Sequence, residues 1–166
     1  LADTVDFTGA GGLPFARTPQ VRYTFPIGSD VSVSAAVEED ISEDDQYVYT
    51  LSARYGFEQG MMRASAIYRD STIDGVPVKG HGVSLTTVVT PWNGGTIKAN
   101  LMTGDGIADY LSSGWVIGDF SVGAFTGRVD AAVLSVTQQV NDKLLIAATG
   151  SYSSFRDSMG SDTRVL

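Results

Sequence analysis

The chain has no cysteine and one histidine, His81. No disulfide framework and no Cys/His zinc site can be built from it. A Ser-His-Asp triad would have to use His81, which sits between Gly80 and Gly82 near a strand end and reads as an exposed strand-end residue. No stretch approaches the ~20 consecutive apolar residues of a spanning helix, and the mean hydropathy of +0.05 is far below that of a helical membrane protein. A basic surplus is also missing. The net charge of −8 argues against nucleic acid, which needs a positive surface. The opening Leu1-Ala2-Asp3 carries no basic segment and no apolar run, so the chain reads as a mature product or an excised piece. The glycines at 9, 11 and 12 have no Lys-Ser/Thr after them, which speaks against a phosphate cradle.

What the chain does have is alternation with a period of two. Between residues 46 and 58, Tyr47, Tyr49, Leu51, Ala53, Tyr55 and Phe57 share one face, and Thr50, Ser52, Arg54 and Glu58 share the other. Successive side chains of a strand point to opposite faces, so this is a strand with one greasy and one wet side. Its aromatics lie towards both ends with small aliphatics between, which suits a strand crossing a bilayer with Tyr and Phe at the two interfaces. Only alternate residues of such a strand meet lipid, so an ordinary average hydropathy is expected.

The same pattern recurs over 18–26, 31–38, 61–70, 79–90, 96–103, 128–139 and 144–155, predicting eight antiparallel strands. Short turns fall at 27–30, 59–60, 91–95 and 140–143. Longer connections fall at 39–45, 71–78 and 104–127, with a further loop at 156–166. Short periplasmic turns alternating with longer external loops are the habit of outer-membrane barrels. Parity makes 104–127 one long external excursion, even though 115–123 looks strand-like. The expected fold is all-β, an antiparallel meander of about eight strands forming one transmembrane β-barrel segment over residues 1–166.

Cations mark the wet face. Arg22, Arg54, Arg63, Arg69 and Lys98 all alternate with apolar residues. A charge facing lipid at mid-membrane costs ~2–4 kcal/mol, so these five are expected in the lumen, where they would favour anions. Arg binds carboxylates bidentately. Pairing with Glu38, Glu58 or Asp130 to stiffen the wall is the competing reading. Glu38, Glu39, Asp40, Glu43, Asp44 and Asp45 form an acidic run without calcium-loop spacing, expected to be a solvated loop. Trp92, in a turn, reads as an interfacial anchor. Trp115, with Tyr110, Phe120 and Phe125, fits either an inward constriction or a subunit contact.

Three stretches carry a family resemblance. LPFARTPQVRYTF (Arg17, Gln20, Val21, Arg22, Tyr23), GDGIADYL (Gly104, Asp105, Gly106, Ile107, Tyr110, Leu111) and NDKLLIAATGSYS (Asn141, Asp142, Lys143, Leu144) resemble the DcaP-like trimeric porins of Gram-negative outer membranes. That resemblance implies a sixteen-stranded barrel in a homotrimer, admitting small organic anions such as dicarboxylates by passive diffusion. This chain would supply about its C-proximal half. It further implies contact with outer-membrane lipid and lipopolysaccharide, no cofactor, no metal and no catalysis. Two alternatives from other classes are an eight-stranded structural or adhesion barrel with a plugged lumen, and a soluble lipocalin-like binder with its apolar face inside.

Overall fold

A computed structural model describes residues 19–42, 45–73, 75–110, 126–156 and 162–165, the last stretch by its backbone and Arg164. The strands are β1 (Gln20–Ile27), β2 (Val31–Glu39), β3 (Tyr47–Phe57), β4 (Gly60–Ile73), β5 (Val76–Val89), β6 (Gly95–Asp105), β7 (Arg128–Asn141), β8 (Leu144–Arg156) and β9 (Asp162–Val165). They form one sheet in sequence order, each antiparallel to the next. Among the described residues, β1 and β9 do not pair with each other, so the sheet is open at both edges. Among the described residues, a 3-10 turn, Ala108–Tyr110, follows β6.

The eight expected strands are all present, and the four short turns share one rim because alternate connections of a meander must. Two stretches depart from expectation. Residues 71–78 are not a long loop: β4 and β5 run on to a hairpin in which Ile73 faces Val76. Gly75 has φ +79°, the left-handed conformation that closes so tight a turn. Pro77, read as a loop marker, is accommodated opposite Thr72 near the strand end. Part of 156–166, read as a loop, returns as β9 and pairs with β8 from Arg156↔Asp162 to Ser153↔Val165. The excursion after β6 begins at Gly106. The strand-like pattern at 115–123 lies outside the described residues.

Register decides the two faces. Val21, Val37, Tyr49 and Tyr68 lie in one row across β1–β4, and Leu51, Ala66 and Val83 in the next across β3–β5. Most of this face is exposed: Val21, Tyr23, Tyr49, Leu51, Val83, Leu101 and Leu134 are all more than half accessible. An open face this rich in Tyr, Leu and Val is what lipid covers in a membrane strand. It also excludes the lipocalin-like alternative, which needs these residues packed inside.

The opposite face, here the inner face, carries the polar half of each strand. The turn Ala108–Tyr110 folds back over it, and Ile107 and Ala108 form a buried cluster with Val129, Ala131 and Phe155. Glycines make room for this. Gly82 and Gly104 are register partners, and a Cβ on either would lie 2.3 and 2.6 Å from Ile107 Cδ1. Only a bare backbone lets the isoleucine sit that close to the wall.

Candidate functional site

The inner wall is organised in rows that run across the strands. The register Thr24↔Ser34↔Ser52↔Ser65↔Ser84 places five hydroxyls side by side on β1–β5. One step nearer the short-turn rim lies Ser32↔Arg54↔Arg63↔Thr86↔Asn100. One step the other way stand Arg22, Ala36, Thr50 and Ile67. Arg22, Ser34, Ser52, Arg63, Ser65 and Ser84 from these rows, with Glu38, Met102, Ile107 and Tyr110, line a groove of about 300 Å³.

The five expected wall cations all lie on the inner face, but their surroundings differ. Arg54 and Arg63 face each other across β3 and β4, both exposed. Arg54 Nε donates to Met61 Sδ at 3.4 Å. Among the described residues, no carboxylate lies within ion-pair distance of either guanidinium. Like charges directly opposite on neighbouring strands repel, and a bound anion relieves that repulsion. Arg22 is half exposed, with its Nη2 3.9 Å from Glu38 Oε1. Glu38 also accepts a hydrogen bond from Thr50 Oγ1 at 2.8 Å, so Arg22 is partly neutralised. Lys98 is half-buried one row beyond the arginines, opposite Val88 and Ser135. Among the described residues, Arg22, Arg54 and Arg63 do not make the suggested pairings with Glu58 and Asp130. Asp130 lies on the other face, 3.4 Å from Arg128 Nε.

Arg69 is a correction. Expected as a lumen-facing cation, it is fully buried between the sheet and the returning chain. Its Nη1 donates to both oxygens of Asp109, at 2.7 and 2.6 Å, and its Nε lies 3.5 Å from Asp40 Oδ2. The guanidinium carbon stands 5.8 Å from the centre of the Tyr110 ring. Asp40 takes further hydrogen bonds from Ser71 Oγ at 2.7 Å and from the Ser42 N–H at 3.0 Å, and Ser42 Oγ donates to Asp109. A buried guanidinium demands carboxylates, and two are brought to it by the β2–β3 connection and by the turn after β6. Burial raises the Asp109 carboxyl above the ordinary carboxylate range, outweighing the opposing pull of Arg69. Burial, together with the Asp40 and Asp109 charges, pushes the Tyr110 phenol up, so it stays neutral at physiological pH.

Sequence reasoning missed this clamp. The alternation places Asp40 in a solvated acidic run and does not single out Asp109. The available signals were Gly80, Gly82, Gly104 and Gly106, which cluster where a strand face turns from polar to bare. Gly106 has φ +65°, and a Cβ on Gly80 would lie 2.3 Å from its carbonyl oxygen.

Two further placements complete the wall. Trp92 is half exposed in the β5–β6 turn. Its Nε1–H donates to Gln138 Oε1 at 2.6 Å, and its indole lies against Gly95. His81 is exposed on the outer face, opposite to the serine row, with Nε2 3.6 Å from Asp105 Oδ2.

No protein-family model matches the chain, and no curated protein matches it. Among solved structures, it is similar to the crystal structure of the outer membrane channel DcaP of Acinetobacter baumannii. The TM-score is 0.73 and the identity 18%, over 95% of this chain and 49% of the channel. The chain therefore spans about half the length of that channel, and the likeness shows the fold, an antiparallel barrel wall.

Proposed function

We propose that this chain is part of the wall of an outer-membrane diffusion channel that favours small organic anions, dicarboxylates among them. The observation that carries this reading is the Arg54–Arg63 pair. Two exposed guanidiniums stand in register on the polar face of a sheet whose other face is apolar, with no carboxylate beside them among the described residues. Such a pair raises the local concentration of anions and lowers the barrier to their entry. Arg22 and Lys98 extend the positive wall on either side. Arg69 serves the reading differently, by fixing the turn after β6 over the inner face and so narrowing the passage.

In this reading transport is passive, with no catalytic step and no cofactor. The open edges of β1 and β9 are completed by further strands. A backbone edge left unpaired in hydrocarbon costs several kcal/mol per polar group, and the half-length match supports a wall of about twice this many strands. The apolar face meets outer-membrane lipid and lipopolysaccharide, and the complete barrel assembles as a homotrimer.

The test is a reversal potential. The native protein in planar bilayers under a dilute chloride gradient should be anion-selective, and Arg54→Gln/Arg63→Gln should move the reversal potential towards zero. The shift should shrink at 1 M salt, where the screening length is ~3 Å. A reversal potential that does not move on this double substitution would show that the pair takes no part in selectivity.

A further inference from the structure

The five-hydroxyl row has a consequence that anion selectivity alone does not require. Ser52, Ser65 and Ser84 stand in adjacent register positions on β3, β4 and β5, half-buried in the groove, and none of them hydrogen-bonds through its side chain to another described side chain. Ser34 continues the row and shares a hydrogen bond of 2.9 Å with Thr24. Neighbouring strands lie about 4.8 Å apart, so adjacent hydroxyls of the row repeat at a spacing comparable with that between the first and last hydroxyls of a four-carbon polyol stretch. Each serine both donates and accepts. The row immediately beside it holds Arg54 and Arg63. Wetting a wall needs only polar residues of any kind. A run of the smallest hydroxyl residue on four consecutive strands instead leaves a shallow track with hydrogen-bonding capacity along its floor.

We propose that this track and the adjoining arginines together form a binding site for polyhydroxylated carboxylates, that is, sugar acids. One carboxylate sits on Arg54 and Arg63, and the hydroxyl-bearing carbons lie over Ser65, with Ser52 and Ser84 on either side in hydrogen-bonding reach of their hydroxyls. The proposal rests on the anion-channel reading and narrows its solute class.

The comparison that tests it is glucarate against adipate. They share a dicarboxylate backbone of the same length and differ in the hydroxyl on every interior carbon. Each is titrated against the chloride current of the native protein in planar bilayers. Glucarate should half-block at a concentration lower by about fivefold, the value of one net hydrogen bond of ~1 kcal/mol. Ser52→Ala/Ser65→Ala/Ser84→Ala should bring the two solutes together, the glucarate half-block rising to the adipate value. Arg54→Gln/Arg63→Gln should weaken both solutes and preserve their ratio. Equal half-block by the two solutes in the native protein would overturn the proposal, as would a ratio that survives the triple substitution. An anion-selective current with a ratio of one defeats this inference and leaves the channel reading standing. Absence of anion-selective current defeats both.

Discussion

Arg22 and Arg69 project from the same face of the sheet and each meets a carboxylate, yet truncating them should have unequal effects. Arg22 is half exposed and 3.9 Å from Glu38, a pair worth at most about 1 kcal/mol in water. Arg69 is fully buried, and Arg69→Met strands Asp40 and Asp109 without their cation. Breaking a buried pair from one side costs about 3–5 kcal/mol. Urea unfolding of the two variants in lipid vesicles should therefore show a small shift for Arg22→Ala and a large one for Arg69→Met. Asp109 adds a pH signature. Its carboxyl is raised above the ordinary 3.8, so the folded protein binds this proton more readily than the unfolded chain does. The corresponding stabilisation is complete below about pH 3.8 and declines as pH rises through the raised value. The stability of the native protein relative to Asp109→Asn should be greater at pH 4 than at pH 7. This is the reverse of the usual loss of carboxylate-based stability in acid, and equal differences at the two pH values would contradict it.

The turn after β6 is held by shape as well as by charge. Ile107 occupies the space that side chains at Gly82 and Gly104 would fill, and the Gly106 N–H donates to Gly127 O at 3.0 Å. Gly82→Ala would put a methyl 2.3 Å from Ile107 Cδ1, so the turn must lift. Hydrogen exchange at the Gly106 and Tyr110 amides, which bond to Gly127 and Ile107 carbonyls, should then speed up, while amides of β3 and β4 remain protected. Gly150→Ala is the control, since nothing lies within 4 Å of a Cβ there. The strands themselves were legible because alternation is local: it places Tyr49, Leu51 and Ala53 on one side without knowledge of any partner. The 71–78 hairpin is not legible in the sequence because Gly75 and Pro77 are equally compatible with a loop and with a tight turn. Only the pairing of Ser71 with Val78 and of Ile73 with Val76 distinguishes the two.

Across the whole molecule, the two faces are chemically separate, and neighbouring residues report on them. Leu51 is more than half exposed on the apolar face, and Ser52 lines the inner groove. Leu51→Arg should cost about 2–4 kcal/mol of folding free energy in a bilayer, the value for a cation at the lipid midplane. Ser52→Arg should leave stability within about 0.5 kcal/mol. Refolding into vesicles from urea measures both, and a Ser52→Arg penalty as large as that of Leu51→Arg would reverse the assignment of the faces.

The sequence by itself determined the number of long strands, the four short turns and the two faces, because a period of two is written in consecutive residues and needs no long-range information. It also placed all five cations on the polar face. Tertiary structure decided what each cation meets. Arg54 and Arg63 look like Arg69 in sequence, each alternating with apolar neighbours. The difference is that Asp40 and Asp109, 29 and 40 residues from Arg69 in sequence, are carried back onto it by connections whose course alternation does not encode. Register across the sheet was the other product of folding. It is what set the serines of four different strands in one row and brought that row beside the paired arginines.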